Sequence, residues 1–239
     1  MFPTNVQFLS TSRFIENGAS NHNYKNFNLA DHVGDEPNSV LANRQLLVNH
    51  YNLPAEPKWL DQCHSNVCVN VDLPYLLKAD ASMSQTPGVV CGVLTADCLP
   101  VFLCKKDGQA VGVVHAGWRG LLGGVIESTI KALDANKGEI LAHLGAGISQ
   151  NAFEVGAEVR EAFVDSNADF ESAFIRHNNK YRFDLYAAAR IVLSAYGIES
   201  ITGGNHCTYS EKNRYFSYRR DGQGSGRMAH LIWMETAEK

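Results

Sequence analysis

The chain has 239 residues, 45% of them hydrophobic and 19% charged, which fits a globular protein with a sizeable core and excludes a disordered or fibrous one. A formal net charge of -4, with no basic run longer than Lys105-Lys106 or Arg219-Arg220, argues against a nucleic-acid partner. No apolar stretch approaches the ~20 residues that cross a bilayer, so no membrane partner is expected.

The N-terminal segment lacks the basic start and apolar core of a signal peptide. The six cysteines include no C-x-x-C pair, which suits reduced thiols. A cytoplasmic protein is the expectation. Asp35-Glu36-Pro37 opens a helix running to about Tyr51, with acidic residues and proline in its first turn. Trp59–Cys63 and Val67–Asp72 read as strands flanking His64. Val89–Leu94 is a continuous apolar run, as in a strand buried on both faces. A hairpin follows, with arms Leu99–Cys104 and Gln109–His115 and an Asp107-Gly108 tight turn. Leu121–Leu133 carries apolar residues at helical spacing, and Glu139–Leu144 is a further strand. Helices are expected near Ala157–Val164 and over Asp184–Tyr196, the second with Asp184 as N-cap. Strands recur at Ser200–Thr202, Arg214–Tyr218 and Arg227–Trp233. With no steady βαβ rhythm, the fold class is mixed-sheet α+β, one domain over residues 1–239.

The hairpin register has a chemical consequence. If Lys106 faces Gln109, Cys98 faces Gly117, and His115 is its diagonal neighbour on the same face. Such neighbours lie roughly 7–8 Å apart at the backbone, close enough to hold one ion or pass a proton. Cys98 and His115, with His64 of Asp61-Gln62-Cys63-His64, form a candidate zinc set that leaves a fourth position open, as catalytic zinc requires. Ordinary core packing is the competing reading for each of them. The turn Ala116-Gly117-Trp118-Arg119-Gly120 precedes a helix and is a candidate anion cradle. Tyr218-Arg219-Arg220-Asp221 with Arg227 offers a further anion contact, against the plainer reading of a solvated charged loop. Gly145-Ala146-Gly147 lacks the third glycine of a dinucleotide fingerprint.

The runs Asp61-Gln62-Cys63-His64, Thr95-Ala96-Asp97-Cys98-Leu99-Pro100, His115-Ala116-Gly117-Trp118-Arg119-Gly120, Ala152-Phe153-Glu154-Val155-Gly156, Cys207-Thr208-Tyr209 and Phe216-Ser217-Tyr218-Arg219-Arg220-Asp221 resemble the YfiH-type laccase-domain family of multifunctional purine nucleoside phosphorylases. The resemblance runs from about Asp31 to Trp233. It implies a zinc held by His64, Cys98 and His115, with Cu²⁺ as an alternative metal. Phosphorolysis of adenosine, inosine and methylthioadenosine is implied, with adenosine deamination besides, so purine nucleosides and phosphate would be the partners. The implied fold is a layered α/β/β/α arrangement with mixed β-sheets, similar to the cytotoxic-necrotizing-factor-like cysteine hydrolase fold. Relatives are also implicated in peptidoglycan editing, on muramyl peptide precursors. Cys63 and Ser65 stand where the family commonly has Val and Gly.

On this reading Cys98, His115 and His64 are the catalytic and metal residues, and Arg119 and Arg219 the substrate-binding ones. The rival enzyme reading makes Cys98 a nucleophile with His115 as base, in amide hydrolysis. Multicopper oxidase chemistry is the least supported reading, because it needs many imidazoles, typically as His-x-His pairs. The nine histidines are scattered, with no two so close. A structural zinc, closed by a fourth ligand such as Cys63, is the non-enzymatic alternative.

Overall fold

The computed structural model describes residues 1–136 and 138–236. In chain order its elements are β1 (Val6–Ser10), α1 (Pro37–His50), β2 (Cys68–Asn70), β3 (Ala81–Ser84), β4 (Cys91–Thr95), β5 (Leu99–Lys105) and β6 (Val111–Ala116). These are followed by α2 (Trp118–Leu122), α3 (Val125–Ala132), β7 (Ile140–Leu144), β8 (Glu154–Val155), α4 (Ala157–Ser166), β9 (Phe174–His177) and β10 (Lys180–Phe183). The last are α5 (Leu185–Ala195), β11 (Ile201–Gly203), α6 (Tyr218–Asp221) and β12 (Met228–Met234).

A six-stranded sheet has the order β11-β7-β5-β6-β3-β2, and a three-stranded one the order β1-β12-β4. The first is mixed: β11–β7 and β2–β3 pair parallel, the other neighbours antiparallel. Side-chain alternation along β5 builds the layers. Leu99, Val101 and Leu103 join a core with Ile126 and Ile130 of α3 and Leu185 and Val192 of α5. Phe102 and Cys104 point the other way, into a seam with Cys91 and Val93 of β4 and Ile232 of β12. Fully buried there, Phe102 contributes on the order of 2–3 kcal/mol. The outer face of the small sheet is covered by Leu47 of α1 with Phe27 and Leu29. Helix, sheet, sheet and helix therefore stack as the α/β/β/α expectation requires. A third sheet, β8-β10-β9, was not anticipated.

The predicted register holds: Leu99 pairs with Ala116 and Pro100 with His115. The turn differs from expectation. The loop is Lys106–Gln109, closed by Gly108 N–H to Lys105 O at 2.9 Å and by Lys105 N–H to Ala110 O at 3.0 Å. A tight I′ turn needs positive φ at both central residues. Here Gly108 takes it (φ +70°), while the Asp107 carboxylate bends back to accept the Gln109 N–H at 3.0 Å.

The expected helix over Leu121–Leu133 is two helices, because Gly124 takes φ +88° as the N-cap of α3 and breaks the bonding between them. Trp59–Cys63 forms no strand. The Gln62 side chain substitutes for a strand neighbour, donating to Leu94 O at 2.8 Å and accepting from Leu94 N–H at 2.7 Å. Arg214–Tyr218 is no strand either: Tyr215 and Phe216 pack in a small cluster with Met228, and Ser217 caps α6 by accepting the Arg220 N–H. The helix over α1 and the Asp184 cap, which accepts the Tyr186 and Ala187 N–H groups, are as expected.

Candidate active site

The chain crosses from the small sheet to the large one through Ala96-Asp97-Cys98, between the end of β4 and the start of β5. Cys98 thus lies at the open end of the hairpin, opposite Gly117 by continuation of the register. It shares the seam face with His115. Asp97 sits at φ +92°, uncommon for a residue with a side chain. Its carboxylate accepts the Thr208 hydroxyl and the Arg219 N–H, each at 2.6 Å, and so holds the Thr208 and α6 segments beside the sulfur.

His64, beyond the reach of hairpin arithmetic, is delivered by a loop wrapped around one buried carboxylate. Asp80 accepts the N–H groups of Cys63, His64 and Ser65 at 3.2, 3.0 and 2.6 Å, and the Ser65 hydroxyl at 2.7 Å. These bonds stabilise His64 at φ +60°. The same carboxylate accepts from His115 Nδ1 at 2.8 Å, which fixes the tautomer and leaves Nε2 toward the thiol. One aspartate therefore orients the His115 ring, as the usual second partner of a metal-bound histidine does, and pins the backbone that carries His64. Sequence reasoning missed it. Asp80 belongs to no recognisable motif, and its only signal is a lone carboxylate at the head of the uncharged run Ala81-Ser82-Met83-Ser84.

The donor atoms of His64, Cys98 and His115 lie within 4.8 Å of one another. Two such donors on a tetrahedral zinc stand about 3.6 Å apart, given Zn–S near 2.3 Å and Zn–N near 2.0–2.1 Å. Cys98 Sγ and His64 Nε2 are 3.8 Å apart, and the two imidazole centroids 4.9 Å. The set fits a zinc or copper ion in donor type and spacing. Cys63 is outside it, with Sγ 3.8 Å from Asp80 Oδ2, so the fourth-ligand expectation is not met. Burial pushes the Cys98 thiol up, but the His115 and His64 rings outweigh it and hold the thiol below its ordinary value. Burial likewise presses His115 down, and the Cys98 sulfur with Asp80 raises it overall. For Asp80, bonds from His115 and Ser65 overcome burial and keep the carboxyl far below the carboxylate range.

The three donors open into a cleft of about 480 Å³. Trp118, Phe153 and Tyr218 supply aromatic walls, and Arg119, Arg219 and Arg227 line it as well. Exposed Arg119 stacks on Trp118 at 4.2 Å. Arg219 lies over Phe153 at 5.2 Å and donates from both terminal nitrogens to Glu154 O at 3.1 Å. The cradle expected at Gly117–Gly120 does face the cleft, but α2 is only five residues long, so its dipole is that of little more than one turn. Arg220 is structural: it pairs with Asp221 and donates to the carbonyls of Thr208, Tyr209 and Tyr215.

A family model for multi-copper polyphenol oxidoreductase laccase matches residues 8–235. The chain is 48% identical over 234 residues to the purine nucleoside phosphorylase YfiH of Escherichia coli (strain K12), covering 97% of this chain and 95% of that protein. It is 33% identical over 241 residues to the adenosine deaminase RL5 of an unknown prokaryotic organism, covering 93% and 91%. The crystal structure of protein NMB0706 from Neisseria meningitidis superposes with a TM-score of 0.93 at 44% identity, over 98% of this chain and 96% of that one. Among the described residues one group of three donors converges, too few to house both a blue-copper site and a trinuclear cluster. No helix among them is long and apolar enough to cross a membrane.

Proposed function

The chain belongs to the family of the multi-copper polyphenol oxidoreductase laccase model and of the YfiH proteins, and from that premise we propose that it is a metal-dependent purine nucleoside phosphorylase with adenosine deaminase activity. The observation that carries this reading is a thiol and two imidazoles converging at the floor of a cleft walled by aromatic rings and arginines. The relatives named for each activity support it. When bound, zinc, or copper in its place, supplies Lewis-acid polarisation of an oxygen in the cleft. His64, Cys98 and His115 would hold it, with Asp80 aiming the His115 ring and fixing the backbone of His64.

Trp118, Phe153 and Tyr218 present faces against which a purine packs, and the arginine rim attracts phosphate. In phosphorolysis a phosphate oxygen bonds to the anomeric carbon of ribose as the bond from that carbon to purine N9 breaks. The electron pair leaves with the base, which takes up one proton. In deamination a water oxygen adds to C6, the bond from C6 to the exocyclic nitrogen breaks, and ammonia departs. Arg119 and Arg219 are the rim residues assigned to the phosphate.

The test is chromatography of adenosine, inosine and methylthioadenosine incubated with purified protein, with and without phosphate. Phosphate-dependent release of free base, lost in Cys98→Ser, is expected. Absence of turnover of all three substrates by the metal-loaded wild type would overturn the reading. A second reading is favoured by the mutual stabilisation of a Cys98 thiolate and a charged His115. Here the sulfur attacks an amide carbonyl, the C–N bond breaks, and His115 protonates the departing amine. The substrate would be a muramyl peptide precursor. Chelation separates the two: the amidase survives it and forms a trappable acyl-enzyme, whereas the phosphorylase loses activity and regains it with zinc.

A further inference from the structure

Among the arginines of the cleft, Arg227 has the least complete set of partners for its degree of burial. It immediately precedes β12, and the pairing of Met228 with Thr95 continues to place it opposite Ala96, two residues before Cys98. Its own N–H donates to Asn28 Oδ1 at 2.9 Å, so its backbone is fixed on both sides. Its guanidinium commits Nη1 alone, to Ser225 O at 2.6 Å and Gly226 O at 3.1 Å. Nε and Nη2 have no hydrogen-bond partner among the described residues. That pair is the edge with which arginine grips an oxyanion bidentately.

Arg227 also lacks a salt-bridge partner. No carboxylate oxygen lies within 4.0 Å of its nitrogens among the described residues, whereas Arg13 and Arg220 share Asp221 and Arg44 has Asp31. The Cys98 sulfur and the Asp97 carboxylate act on it from farther away, and Asp97 spends its hydrogen bonds on the Thr208 hydroxyl and the Arg219 backbone N–H. Arg119 and Arg219 are exposed and hydrated, but Arg227 is partly buried, and burial presses against its charged form. A partly desolvated cation with no salt-bridge partner and with Nε and Nη2 uncommitted, lining a cleft, favours an anionic ligand.

We infer that Arg227 is the anchor for the phosphate oxyanion of the reaction, gripping it through Nε and Nη2 beside the Cys98 floor, with Arg119 and Arg219 as outlying cations. This rests on the phosphorylase reading and assigns its co-substrate subsite. A tetrahedral dianion there would have the cation on one side and the donor group at the cleft floor near it.

The experiment compares wild type, Arg227→Met and Arg227→Lys in phosphorolysis of inosine and in deamination of adenosine. Circular dichroism is a control for folding, because Nη1 also ties down the Ser225–Gly226 loop. The expected result in R227M is a KM for phosphate raised about 10- to 100-fold, as for loss of a charge-assisted bidentate bond. Deamination, which uses no phosphate, should lose at least tenfold less than phosphorolysis, and R227K should recover part of the phosphate KM. An unchanged phosphate KM in folded R227M would overturn the assignment.

Inorganic phosphate binding, titrated by calorimetry at constant ionic strength, tests the subsite apart from turnover. If the wild type does not phosphorolyse any purine nucleoside yet binds phosphate more tightly than R227M and R227K, the subsite stands and the phosphorylase reading fails. If phosphate binds all three proteins equally, the subsite fails. If R227M weakens adenosine 5′-monophosphate but not inorganic phosphate, the arginine reads a phosphate attached to the nucleoside, and the assignment to the free co-substrate is overturned.

Discussion

Gly117 is where one added carbon should most cleanly separate the site from the fold. Its φ of -69° and ψ of 160° are open to any residue, so Gly117→Ala introduces no backbone strain. The new Cβ would, however, stand 2.8 Å from His64 Cδ2, 3.0 Å from Cys98 Sγ and 3.3 Å from His64 Nε2. Ordinary contact begins at 3.4 Å, so the imidazole must retreat by about 0.6 Å and the sulfur by about 0.4 Å. Metal–ligand distances tolerate only about 0.2 Å. Crowding of this kind costs about 1–3 kcal/mol, offset by about 0.4–1 kcal/mol from the stiffer unfolded chain. Because His64 is exposed and can swing outward, net destabilisation should stay near 1 kcal/mol, or about 2–4 °C in Tm for a chain of this size. Zinc affinity should fall about 100-fold, at the upper end of the range for disturbed ligand support. Competition with a chromophoric chelator measures the affinity, and a thermal melt with and without zinc measures the rest. A folded G117A that binds zinc as tightly as wild type would refute the convergence of these side chains on one ion.

Asp80→Asn should lower metal affinity about 10- to 100-fold, read by the same competition, because an amide cannot accept all the N–H groups and the His115 proton that the carboxylate now takes. His230 is fully buried between Ser10 Oγ and Thr95 Oγ1, each at 2.8 Å, and burial first, then charge on His115, pushes its pKa down to about 3. The unfolded chain takes up this proton near pH 6.5 and the native state only near pH 3. The ring therefore subtracts stability as pH falls through that window, by about 2 kcal/mol at pH 5. Urea titrations at pH 7.5 and 5 should show this loss in wild type and not in His230→Gln. Asp184→Ala should cost about 1 kcal/mol through the lost cap of α5, read as a lower urea midpoint; an unchanged midpoint would show that the two capping bonds carry no stability.

The residues that carry the chemistry were legible where local pattern and pairing parity sufficed. Cys98 and His115 fell on one face because a four-residue loop and a two-residue turn nested inside it leave the pairing frame unchanged, so the wrong turn still gave the right neighbours. His64 was nominated by its ligand chemistry but could not be placed beside the other two, since nothing in its own neighbourhood encodes contact with residues 34 and 51 positions away. Asp80 escaped because β3, Ala81–Ser84, is buried along its whole length and shows no in-and-out alternation. Only the pairing of Ser82 with Val113 brings Asp80 opposite His115. Trp59–Cys63 misled in the opposite direction: it reads as a strand, but an amide side chain, not a neighbouring strand, satisfies the Leu94 backbone there. The apolar spacing over Leu121–Leu133 runs through the glycine pair without a break, so it hides the point where Gly123 ends one helix and Gly124 starts the next.

The crossover through Ala96-Asp97-Cys98 has a mechanical consequence. The sulfur belongs to the stretch that ties two stacked sheets together, while the imidazole of His115 rides on the larger sheet alone. Because Cys98 adjoins β5 and β5 pairs with β6, shear of one layer past the other strains the Ala96-Asp97 link and reaches the sulfur through it. Reactivity should therefore report on interlayer registry: on warming, turnover should fade before ellipticity does, as the layers loosen while each sheet still keeps its strands.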